Sequence, residues 1–239
     1  MQQLILSSER RALGARVREI VGGDKIVEYT TLQVNQLLTP TNNQYNFDLY
    51  KVPGADHPLD IKLDRNDGFF VSHIGLVLAK QDTTTSPPRY ANSQEFTHPD
   101  PNFFVGLAST WNEWASLFTV YNGLLTLTTG NAERIKDLFT GNFLYNPNRP
   151  TLLNGADPDN LQEFGGGHLA QRGFYELAEM LGLSGQDNND VKVVLGPGNT
   201  AIIDGSVNAA GTAATTRNVL RLKLQGFKVV NGARAVTNF

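Results

Sequence analysis

The sequence predicts a mainly β protein with an amino-terminal helix and a few further short helices. Three observations lead there. Apolar runs are short and are bounded by clusters of Asn, Asp, Gly and Pro. Leu220, Leu222 and Leu224 alternate with Arg221, Lys223 and Gln225, so one side of that segment is expected to pack while the other meets solvent or a partner. Strand-like runs occur in both halves, with no repeat of fixed period and no composition break that reads as a linker. Residues 1–239 are therefore expected to form a single β-rich domain.

Ser7 to Ile20 reads as a helix, so that residues 1–23 make an N-terminal amphipathic element. Leu6, Leu13, Val17 and Ile20 share one face, Arg11 and Arg18 point the other way, and Gly22-Gly23 ends it. Strands are expected at Ile26 to Leu32, Phe47 to Val52 and Phe69 to Leu78. Gln81 to Pro101 is polar and carries several prolines, which remove ladder donors, so it reads as a long surface loop. Ser116 to Tyr121 and Leu124 to Thr129 flank Asn122-Gly123, which predicts a hairpin closed by a type I′ turn.

Asn131 to Phe139 then reads as a short helix with Ile135, Leu138 and Phe139 inward and Gly141 as its stop. Tyr145 to Asp159 is a second loop rich in Pro, Asn and Asp. Gly173 to Leu181 places Phe174, Leu177 and Leu181 at helical spacing. Strands return at Val191 to Leu195, Ala201 to Ile203 and Asn218 to Val230.

Composition narrows the function classes. The chain has 239 residues, enough to bury a core without staples, and no cysteine, which removes disulfides, thiolate nucleophiles and Cys-ligated zinc. A net charge of -3 argues against a surface given over to phosphate binding. The longest apolar runs are strand-sized, so no transmembrane helix is expected. Met1 to Arg11 holds only the patch Leu4 to Leu6, so no signal peptide is expected either.

Chemistry-bearing patterns are sparse. No G-x-S-x-G elbow occurs, and the histidines are scattered at His57, His73, His98 and His168. Ser72 and His73 are adjacent on an expected strand, where neighbouring side chains point to opposite faces, so they are not expected to pair. Gly165-Gly166-Gly167 and Gly196-Pro197-Gly198 lack the Lys-Ser/Thr of a phosphate loop and read as turns. Asp157, Asp159 and Glu163, or Asp187 to Asp190, do not match a calcium loop and read as loop acids. Asp64 to Gly68 reads as a turn. No metal site and no cofactor are expected, and the chain is not expected to be an enzyme.

The remaining candidates are contact residues. Trp111 and Trp114 share a face only if their segment is helical; they read as core aromatics, with a sugar platform as the alternative. Arg10, Arg11, Arg16 and Arg18 make the first helix basic, offset in part by Glu9 and Glu19. Arg11 and Arg18 are accordingly candidates for contact with an anionic surface.

Many strands, long Asn/Thr/Pro loops and the lack of catalytic patterns together suggest an assembly protein. Phe69 to Lys80, Tyr121-Asn122-Gly123 and Val219 to Ala233 give the chain a style that resembles jelly-roll capsid proteins of tailless bacteriophages. That resemblance implies one elaborated jelly-roll sandwich, a location in the virion after assembly in the host cytoplasm, self-association with contacts to other virion proteins, and non-specific contact with genome or membrane through the first helix. Two alternatives stand beside it. One is a carbohydrate-binding or adhesin-like β-sandwich. The other is a glycosidase on a β scaffold, with Glu113 and Glu163 as its carboxylates.

Overall fold

In the computed structural model the first helix, α1 (Ser8–Val21), ends where Gly22 takes a φ of 89°, the left-handed stop that glycine adopts without strain. Val17 and Val21 are buried and Leu13 and Ile20 half-buried, while Arg11 and Arg18 are exposed, as the periodicity predicts. The structure describes residues 8–52, 58–85, 89–90, 95–101, 103–104, 113–145, 173–206 and 214–236. Leu6, the expected Tyr145 to Asp159 loop beyond Tyr145, and the Gly165 to Gly167 turn lie outside them.

The other elements in chain order are β1 (Val27–Leu37), β2 (Gln44–Asp48), β3 (Gly68–Asp82), β4 (Arg89–Tyr90), α2 (Glu113–Tyr121), β5 (Leu124–Thr129), β6 (Ala132–Phe139), β7 (Phe174–Ser184), β8 (Asn189–Val194), β9 (Thr216–Val229) and α3 (Ala233–Val236). They form two antiparallel sheets. One runs β1-β9-β3-β4, with β7 also paired to β3; the other runs β2-β8-β5-β6. The protein is thus mainly β with few helices.

Side chains from both sheets meet in one buried cluster. Leu32, Val34, Phe69, Val71, Ile74, Leu76, Leu78, Leu220, Leu222 and Leu224 come from the first sheet, and Tyr45, Phe47, Leu125, Leu127, Val191 and Val193 from the second. The alternation of Leu220, Leu222 and Leu224 therefore does mark the core face. Its complement does not face solvent throughout: Arg221 is only 2 % exposed. The outer side of the first sheet is itself covered, because α1 and α3 lay Val17, Val21 and Val236 over Phe70, Phe227 and Val229.

β3 changes phase partway along. Phe69 and Val71 point inward, and then Ile74, Leu76 and Leu78 do. The register with β9 slips by one residue between Val71 and His73, a β-bulge that inserts Ser72 and shifts the inward set from odd to even positions.

Several expected elements differ for related reasons. Ala132 to Phe139 is strand β6, not a helix, and Asn131 is in the turn before it. Register slips against β5 leave Ile135 and Leu138 opposite Leu127 and Leu125, with Asp137 at a φ of 50°, and the extra residues mimic helical spacing. Phe174 to Leu181 likewise belongs to strand β7: between the pairs Val71↔Leu181 and His73↔Glu176 it carries additional residues that space Leu177 and Leu181 like a helix.

Ser116 to Tyr121 lies in helix α2, where buried Glu113, Ser116, Leu117, Val120 and Tyr121 share one face; its β-branched and aromatic composition suggested a strand. Asn122-Gly123 therefore joins a helix to a strand, and neither residue has a positive φ. A glycine stands there because a Cβ at position 123 would lie 2.0 Å from the Val194 carbonyl oxygen. The tight hairpin is instead β5–β6, where Thr129 pairs with Ala132 and Gly130, at a φ of 59°, opens the turn.

The second expected strand is displaced to Gln44–Asp48, and Ala201 to Ile203 forms turns rather than a strand. Within the Gln81 to Pro101 segment, Gln81 and Asp82 finish β3, β4 pairs with them, and Phe96 bridges Leu78.

Leu222→Ala, which opens a cavity where three strands and the facing sheet converge, is expected to cost about 3 kcal/mol in urea unfolding. A change of a few tenths would contradict this placement.

Candidate functional site

The histidine and serine candidates form one unexpected pair. The bulge puts Ser72 and His73 on the same side of β3, and Ser72 Oγ lies 2.9 Å from His73 Nδ1, contrary to the alternation expected of adjacent strand residues. Ser72 also donates to the Gln225 carbonyl at 3.1 Å. A hydroxyl has one proton, and a carbonyl can only accept, so satisfying both bonds makes Nδ1–H the donor to Oγ. A general base needs the reverse polarity, with the ring nitrogen accepting from Oγ. Both residues are buried, and the pair ties the bulge to β9.

Glu113 is also structural in its geometry. It is 1 % exposed and meets Lys80 Nζ at 2.9 Å, while Asn218 Nδ2 donates to it at 2.7 Å. Lys80 sits over the rings of Phe103 and Phe104, 5.6 and 5.4 Å from their centroids. This charged clasp holds the first turn of α2 against β3 and β9. Glu163, its expected catalytic companion, lies outside the described residues, as do Trp111, His57 and His168. Trp114 packs against the core and stacks edge-on with Phe118 at 5.8 Å, in keeping with a core role.

A second polar cluster covers the outer side of the first sheet. Arg221 Nε donates to Asn35 Oδ1 at 2.8 Å, and both Arg221 and Lys223 pair with Glu95. Asn35 in turn binds Asp60 at 2.7 Å. Asp64 to Gly68 is a turn, as expected, with Asp67 paired to Lys228 at 2.7 Å. Among the described residues no group of three or more acids and histidines is placed to hold a metal ion, and no helix is long and apolar enough to cross a membrane.

The outer side of the β2-β8-β5-β6 sheet is different, because it carries the exposed residues Gln44, Asn46, Asp48, Leu124, Glu133 and Phe139. Register sorts it into rows. Asp48, Asp190, Thr128 and Glu133 are opposite one another in turn, as are Gln44, Val194, Leu124 and Phe139. One end is therefore acidic and the other apolar, with Lys192 between them. Leu124 and Phe139 are 42 % and 48 % exposed, and the apolar row runs into a cleft of about 490 Å³ lined by Phe118, Leu144, Thr119, Asn122 and Asn199. Sequence reading missed this surface, since register alone brings its residues together.

In the acidic row, burial and then the neighbouring Asp48 charge push the Asp190 carboxyl above its ordinary value, with Lys192 opposing. Asp190 Oδ1 is shielded from solvent and accepts no hydrogen bond. Like charges directly opposite on paired strands repel, so the Asp48–Asp190 pair carries a cost that Lys192 offsets only in part. The described molecule thus has two antiparallel sheets around one core, a covered side and an open, charge-graded side. Comparison with protein-family models, curated proteins and solved structures finds no match to this chain.

Two stability predictions follow from these clusters. Glu113→Leu strands the Lys80 charge and is expected to cost about 3 kcal/mol, whereas Glu113→Leu combined with Lys80→Met costs less than the single change. A double-mutant cycle by chemical denaturation measures this, and strict additivity would contradict it. For Asp190 the folded pKa is raised, so its cost is full above that value and disappears below the unfolded one. Asp190→Asn should therefore stabilise the isolated chain by about 0.5 kcal/mol at neutral pH, with the gain fading as pH falls into the ordinary aspartate range. Urea unfolding at neutral and acidic pH checks both parts.

Proposed function

We propose that this chain is a structural virion protein that self-assembles into a viral, phage-type capsid shell, and that its two sheets are one elaborated jelly roll. The carrying observation is the nesting of strand pairs: β1 with β9, β2 with β8, β3 with β7 and β5 with β6. Such nesting is what a long antiparallel ribbon makes when it is rolled into two four-stranded layers, and β3–β9 and β5–β8 then complete them. Jelly rolls serve capsids but also lectins and cupins, so the fold by itself does not choose.

Support for assembly comes from the surfaces. The open side of the β2-β8-β5-β6 sheet offers an apolar row and an acidic row to a neighbour, and the clusters with polar chemistry are engaged in holding elements together. In this reading the chain works without turnover or cofactor, with copies of itself and other virion proteins as its partners.

The carbohydrate-binding reading is second. It is favoured by the cleft, where Phe118 and Phe139 stand beside Thr119, Asn122 and Asn199, a mixture of ring faces and amides suited to a sugar.

Electron microscopy of the purified chain is expected to find closed shells, rings or regular sheets, and analytical ultracentrifugation should show larger species as concentration rises. A strictly monomeric chain that binds a glycan saturably, and loses that binding in Phe118→Ala, would replace the shell reading with the second.

A further inference from the structure

We infer that the acidic row of the β2-β8-β5-β6 sheet receives helix α1 of a second copy of this chain, with Arg11 and Arg18 set against Asp190 and Glu133. The inference rests on the shell reading and names its repeated contact.

Spacing supports the match. Neighbouring strands are about 4.8 Å apart, so Asp190 and Glu133, separated by Thr128 on the strand between them, stand about 10 Å apart on one face. Arg11 and Arg18 are seven residues apart on α1, two helical turns or about 10.5 Å. Ala15 falls between them on the same stripe and is exposed, as both arginines are. A helix laid across the strands would set its small residue over Thr128 and a guanidinium over each carboxylate.

Charge supplies the second support. Asp48 and Asp190 repel across their strand pair. A guanidinium offers a fork of donors to an exposed carboxylate, and its charge relieves the repulsion within the row. Arg16 is also exposed beside the stripe, and Glu19 offsets only part of the helix charge.

The two surfaces cannot meet within one chain. α1 is packed on Phe70 and Phe227, on the outer side of the first sheet, whereas the acidic row is on the outer side of the other. The contact is then head to tail, the kind that generates rings or extended arrays rather than isolated dimers.

Two charge-reversed chains test it: one with Arg11→Glu and Arg18→Glu, the other with Asp190→Lys and Glu133→Lys, each checked for an intact thermal transition. By sedimentation at low salt, each alone should associate about tenfold or more weakly than the native chain. Mixed in equal amounts they should regain association, because the acidic helix of one meets the basic sheet of the other. Should the doubly changed sheet fail to fold, Glu133→Lys alone, on the exposed edge strand, carries the same test.

Native-like association of either reversed chain, or no recovery on mixing, overturns the inference. So does a helix-reversed chain that associates normally but no longer binds heparin or anionic phospholipid vesicles, since α1 would then serve a polyanion such as genome or membrane. Calcium that raises the unfolding midpoint of the native chain but not of the sheet-reversed chain would make the row a cation site and overturn it as well. Native particles unaffected by either reversal would remove this contact and leave the shell reading standing, whereas a native chain that never associates removes both.

Discussion

The long antiparallel pairing of β3 with β9 is the constraint on which the other elements depend. β9 lies between β1 and β3, so it has no free edge along most of its length. Both of its faces are covered, one by the opposing sheet and the other by α1, α3 and the polar cluster around Arg221. A strand in that position must be apolar on one face and must supply its own polar partners on the other. Arg221 meets the second demand through Asn35 and Glu95, and in doing so links β1, β9 and the segment before Phe96. Removing one charge from such a cluster costs far more than replacing the whole cluster with apolar groups.

The same logic applies at the end of the core where α2 enters. α2 buries an acidic residue, Glu113, in its first turn, and that is tolerable because Lys80 and Asn218 come from the two central strands to meet it. The clasp therefore reports on three elements at once. Its cation is further held over two aromatic rings, whose negative faces favour it where water is scarce.

What could be read from the sequence follows from how regular each element is. α1 is an uninterrupted amphipathic helix and Leu220, Leu222 and Leu224 of β9 alternate cleanly, so periodicity found them, while β3 was legible as an apolar run bounded by turn residues. β6 and β7 each contain extra residues against their partners, and the resulting spacing of Ile135 and Leu138, or of Leu177 and Leu181, imitates a helix. α2 failed in the opposite sense, because a short buried helix of Trp, Phe, Thr, Val and Tyr has the composition of a strand. The exposure of Arg11 and Arg18 was legible from helical phase. The acidic row was not: Asp48, Asp190 and Glu133 are distant in the chain, and only register places them side by side.

Ser72 gives the bulge in β3 a wider meaning. Because side chains alternate with a period of two, one added residue acts as a phase inverter: everything after it would face the wrong way without a compensating insertion. The strand therefore counts in parity rather than in length. Gain or loss of two residues beyond His73 would shift its end while preserving which side each residue faces, whereas a single-residue change would exchange the inner and outer layers of Ile74 through Lys80. Variation in chain length along this strand is thereby confined to even steps, a restriction set by geometry and independent of which apolar residues fill the core.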